Sequence, residues 1–151
     1  MIKKSLGIVI LFFTLFSCGK EDNNDMQKPE IQITFPQNCQ TLQRGESFTF
    51  SAQFSDNVEL GSYNIEIHNN FDHHSHSTDN VECEMENKKT PVKAWVFNQD
   101  YAIPAGRKAF EANNEIAVPA DIDAGDYHFM VRLTDKSGWQ QLAAVSVKID
   151  Q

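Results

Sequence analysis

The chain has 151 residues, with 13 basic and 21 acidic side chains and a formal net charge of −8. This length is enough for one domain with a buried core and short extensions. The acidic balance repels phosphate backbones and excludes nucleic acid as an expected partner.

At the start of the chain, Lys3 and Lys4 precede an apolar run from Leu6 to Phe16. That run is about 11 residues, against the roughly 20 that a spanning helix needs. A basic start, a short apolar run and then small residues describe a secretory signal. Residues 1–17 are therefore expected to be a leader, 18–28 an acidic tether and 29–151 one domain. Lys3 and Lys4 would leave with the leader and no acid would, taking the net charge to about −10.

Leu15-Phe16-Ser17-Cys18 resembles the lipobox of bacterial lipoproteins, although Phe16 departs from its commoner residues. The resemblance implies a lipid on Cys18 and cleavage just before it. Gly19-Lys20-Glu21-Asp22, continuing to Asp25, resembles the export signal of Bacteroidetes surface lipoproteins. It implies an outer-membrane protein whose domain is exposed at the cell surface, with the periplasmic face as the alternative. Such polar composition also suits a plain solvated tether. In either case the membrane is met through the N-terminal lipid, not through the acidic domain.

Beyond the tether the apolar period is two. Alternation runs through 30–35, 47–54, 63–67, 127–133 and 142–149, with β-rich segments at 92–103 and 110–118. These predict about seven strands bounded by Pro, Gly and Asp, and no segment carries a helical stripe. One apolar face per strand implies two packed antiparallel sheets. The stretch "PADIDAGDYHFMVRLTDKSGW" resembles the corner, strand and turn of bacterial immunoglobulin-like and fibronectin-like domains, with Tyr127 as the corner tyrosine. "FSDNVELGSYNIEI" resembles an earlier strand passage of the same domains. Residues 29–151 as a whole are similar to an uncharacterised family of Bacteroidetes lipoproteins. The expected fold is thus all-β: a single immunoglobulin-like antiparallel sandwich.

With Cys18 assigned to lipid, Cys39 and Cys83 form an even pair in an oxidising compartment. They are either bridged or two free thiols, one of them a soft metal ligand.

Four of the five histidines, His68, His73, His74 and His76, fall within nine positions; the fifth is His128. Placing Tyr63 opposite Leu133 brings Ile65 to Val131, Ile67 to Phe129 and His68 to His128. The apolar members face inward, so both imidazoles share the outer face at Cβ separations of about 4.5–5.5 Å. Neutral imidazole is the commonest metal-binding side chain. The cluster therefore predicts a transition-metal site, zinc first and copper or nickel second. His68, His76 and His128 rank ahead of His73 and His74, with Glu66 and Asp72, and more distantly Asp79, as carboxylates behind the ligands.

Asp121, Asp123 and Asp126 lack a full calcium-loop pattern and read as turn residues. Trp95, Trp139 and Tyr101 read as core or sheet surface before they read as a sugar platform. Ser-nucleophile, zinc-protease and phosphate-loop motifs do not occur. The expected function is a lipid-anchored, non-enzymatic surface binding module with a histidine metal site. The alternative is a glycan- or protein-binding adhesion module whose histidine loop is only solvated. A metal-dependent hydrolase ranks last.

Overall fold

The computed structural model describes residues 25–75 and 83–150. The leader, Cys18, most of the tether, His76 and Asp79 lie outside the described residues. Eight strands and no helix occur among the described residues: β1 (Glu30–Phe35), β2 (Gln40–Gln43), β3 (Ser47–Ser55), β4 (Leu60–Asn69), β5 (Phe97–Ala102), β6 (Ala109–Ala117), β7 (Gly125–Asp135) and β8 (Gln140–Asp150). They form a three-stranded sheet, β1-β3-β6, and a five-stranded sheet, β2-β8-β7-β4-β5.

The expected alternation sets the inner faces. Phe50, Ala52 and Phe54 of β3 are buried against Tyr63, Ile65 and Ile67 of β4 and Tyr127, Phe129, Val131 and Leu133 of β7. Aromatic contacts bridge the sheets, with Phe50 and Phe129 ring centroids 5.4 Å apart and Phe54 and Tyr63 5.0 Å apart. The Tyr63 hydroxyl donates to Asn114 Oδ1 on the other sheet at 2.7 Å. Gly61 sits at the register shift that begins β4, where a Cβ would come within 2.8 Å of the Thr134 carbonyl oxygen.

Two expectations need correction. The seventh-strand count omitted β2, whose four residues run parallel to β8, so the sandwich is not purely antiparallel. Only Leu42 of β2 enters the core, and one buried residue in four leaves no readable period. The strand expected over 92–103 is confined to Phe97–Ala102. Val92 and Lys93 instead donate their backbone N–H groups to Asp123 Oδ2, both at 2.7 Å. Asp123 and Asp126 are thus loop clamps: Asp126 Oδ2 accepts from Glu86 N at 2.8 Å, and Asp121 pairs with Lys93.

These clamps fold the long β4–β5 connection back over the start of β7, which is why residues 125–131 are buried on both faces. Cys39 and Cys83 are joined in a disulfide with Cα atoms 5.5 Å apart, tying that connection to the β1–β2 turn.

Tyr127 is buried near the start of β7. Its hydroxyl donates to the Asp123 carbonyl at 2.7 Å and accepts from Trp95 N at 3.2 Å. Burial pushes this phenol up from its ordinary value, so it stays protonated and able to donate. Tyr127→Phe would leave a buried N–H and a carbonyl unpaired and is expected to cost about 2 kcal/mol in urea unfolding. A cost below about 0.5 kcal/mol would mean that the corner bond does not hold the connection down.

Candidate metal centre

The β4–β7 ladder has the register read from the apolar pattern. Tyr63 pairs with Leu133, Ile65 with Val131, Ile67 with Phe129 and His68 with His128. His68 and His128 therefore share the outer face at the end of β4, with ring centroids 5.5 Å apart.

The chain then turns sharply. Asn70 N donates to the Asp126 carbonyl at 2.8 Å, and His73 N donates to the Asn70 carbonyl at 3.1 Å. His73 takes a left-handed backbone conformation, φ 59°, which is costly outside glycine and reverses the chain over the sheet. The reversal lays His74 on the pair. Its ring lies 5.4 Å from His68 at an interplanar angle of 13°, and 5.0 Å from His128 at 65°.

The ring nitrogens have distinct roles. His68 Nε2 and His74 Nε2 face each other at 3.3 Å. Behind them, His68 Nδ1 lies 3.2 Å from Glu66 Oε1, and His74 Nδ1 lies 2.6 Å from Asp72 Oδ1. The hydrogen bond from His74 holds the Asp72 carboxyl below the usual carboxylate range. The Asp72 carboxylate fixes the His74 tautomer with the proton on Nδ1 and directs its Nε2 lone pair forward, the arrangement that backs metal-ligating histidines; Glu66 stands as an ion-pair neighbour of His68 Nδ1. Two nitrogens at 2.0–2.1 Å from one tetrahedral ion stand about 3.3 Å apart.

His128 is only 1% exposed. Its Nε2 lies 3.1 Å from the His74 carbonyl oxygen, which can only accept, so that nitrogen carries the proton and holds the loop in place. His73 is not brought to the cluster: its Nε2 lies 2.9 Å from the Glu86 carbonyl oxygen, on the neighbouring segment. The structure thus joins His68, His74 and His128, with Glu66 and Asp72 behind the first two. The sequence ranking placed His74 behind His76, which lies outside the described residues. The signal available was the Asp72-x-His74 spacing, which mirrors Glu66-x-His68.

The fold and this cluster define a single β-sandwich domain with a carboxylate-backed histidine pair at one end of its larger sheet. A family model described as a domain of unknown function, DUF4625, matches residues 16–150, and the chain belongs to that family. No curated protein matches. Among solved structures, the chain is similar to the sporulation control protein Spo0M of Bacillus subtilis, with 8% identity and a TM-score of 0.42 over 82% of this chain. The chain spans 49% of the length of that protein.

Proposed function

We propose that the protein is a lipid-anchored, non-enzymatic binding module displayed at the outer membrane, and that it takes up a transition metal ion on His68 and His74 beside His128. The observation that carries the metal reading is the 3.3 Å approach of two Nε2 atoms, with His74 Nδ1 held by Asp72 and Glu66 3.2 Å from His68 Nδ1. Zinc suits such a nitrogen pair first, and copper or nickel second. The disulfide supports an oxidising compartment outside the cytosol. The Cys18 motif supports the anchor. The order of strands in the two sheets and the corner bond of Tyr127 support the immunoglobulin-like type of sandwich.

A glycan-binding face would need an exposed aromatic platform. Trp95 is 6% exposed; Trp139 is 38% exposed, but its indole N–H is committed to the Asp25 carbonyl at 2.8 Å and no second exposed aromatic ring among the described residues is seen stacking beside it. Tyr101 stacks on Tyr63, with centroids 4.9 Å apart. These placements favour the metal reading.

The test is calorimetric titration of the full chain, prepared without a polyhistidine tag, with zinc chloride. One ion per chain is expected at neutral pH, with weaker binding in acid because a proton competes for each ligand nitrogen. Absence of saturable uptake at about 100 µM zinc would remove the metal site and leave the anchored module without a ligand.

A further inference from the structure

The opposite end of the β4–β7 ladder carries a second constellation. Asp25 precedes β1, Asp56 lies in the β3–β4 turn and Asp135 ends β7. One carboxylate oxygen from each lies within 4.8 Å of the others. Asp25 and Asp135 are only 8% and 4% exposed.

Each carboxylate uses one oxygen to organise the local chain. Asp25 Oδ1 accepts from Gln27 N and Asn57 Nδ2, both at 3.1 Å. Asp56 Oδ2 accepts from Val58 N at 2.8 Å and Glu59 N at 2.7 Å. Asp135 Oδ1 accepts from Trp139 N at 2.9 Å. Asp56 Oδ1 and Asp135 Oδ2 are sealed from solvent and make no hydrogen bond; Asp25 Oδ2 is likewise sealed, with the Ser137 hydroxyl a further donor to that carboxylate. Among the described residues no Lys, Arg or His forms an ion pair with any of the three. The nearby Lys108 ammonium is spent on the Asn57 carbonyl at 2.8 Å.

Three converging carboxylates, with unused oxygens on Asp56 and Asp135 and no positive partner, are unfavourable for the protein alone. Like charges repel in a covered site, and each unused acceptor has lost its water. A cation at their centre resolves both costs. We propose that Asp25, Asp56 and Asp135 form a calcium site. All three donors are hard oxygens, which suits calcium and not the nitrogen-seeking metals of the histidine end. Two oxygens that each lie 2.3–2.6 Å from one calcium are at most about 5.2 Å apart, and the three oxygens here lie within 4.8 Å of one another. Calcium accepts the irregular geometry that such turns provide, whereas magnesium demands a near-ideal octahedron.

The consequence is mechanical. Asp25 belongs to the segment that enters the domain, and Asp56 and Asp135 belong to its turns. The ion staples that entry to the sandwich, reinforcing the hydrogen bond from Trp139 Nε1 to the Asp25 carbonyl.

Thermal melting of the full chain in EGTA and in calcium tests this. At about 10 mM calcium, roughly ten- to a hundredfold above the dissociation constants of extracellular calcium modules, the midpoint is expected to rise by about 5–10 °C. EGTA should reverse the rise, and magnesium should give less than half of it. Asp25→Asn and Asp135→Asn keep an accepting oxygen for the local N–H bonds. Each should lose most of the shift, measured from its own EGTA baseline. His68→Ala/His74→Ala should retain it in full, which separates this site from the zinc site. Terbium offers a second readout: excitation of the tryptophans should sensitise its emission, and calcium should quench that signal. An unmoved midpoint with no sensitised terbium emission, or a full shift in both Asn variants, overturns the proposal.

Discussion

His74→Ala is expected to weaken zinc uptake by more than about 100-fold, and His68→Ala/His74→Ala to abolish it. The reason lies in the facing nitrogens: each supplies one of two ring donors at 3.3 Å, and losing either leaves no pair to chelate the ion. The carboxylates should matter almost as much. Asp72→Asn replaces the acceptor that fixes the His74 tautomer and is expected to lower affinity by about 10–100-fold, and Glu66→Gln, which removes the negative charge beside His68, by less. His128→Ala acts differently. It removes the donor to the His74 carbonyl from a nearly inaccessible site and should destabilise the fold by about 2 kcal/mol as well as loosen the loop. Titration calorimetry alongside urea unfolding separates the two kinds of effect. An unchanged zinc isotherm in His74→Ala would show that the approach of the two rings serves packing alone.

The second large effect concerns the disulfide. Cys39→Ala/Cys83→Ala is expected to destabilise the domain by about 4 kcal/mol, because the bridge closes a loop with a sequence separation of 44. The chain-entropy contribution rises only slowly with loop length, so this figure depends little on where the loop ends are drawn. The bridge also anchors the segment from Cys83 onward, where Glu86 N bonds to Asp126 and Lys148 Nζ reaches the Glu84 carbonyl at 3.2 Å. In the variant, amide exchange should quicken first in residues 84–93 and only later in β4 and β7. A loss below about 1 kcal/mol would show that the hydrogen bonds alone hold the connection.

The two proposed sites sit at opposite ends of the same strand pair and differ in chemistry. Nitrogen donors gather where β4 ends and β7 begins, and oxygen donors where β7 ends and β4 begins.

Local pattern alone was enough to read the strands and their inner faces. Phe48, Phe50, Ala52 and Phe54, or Tyr127 through Leu133, alternate because a pleated strand turns successive side chains to opposite sides. Since that period is two, one correctly paired residue sets a whole ladder, and His68 opposite His128 followed from Tyr63 opposite Leu133. The short β2 left no such trace, because a four-residue edge with one buried side chain has no period to read. Nor did sequence decide which loop histidine would meet His68. That depended on a left-handed turn at His73 and on the packing of the 83–96 segment over β7. Asp25, Asp56 and Asp135 are far apart in the chain and each reads as an ordinary tether or turn residue; their convergence exists only once the sandwich closes. Periodicity specifies which way a side chain faces, but which distant side chains meet is set by loop closure, and loop closure is a property of the whole packed chain.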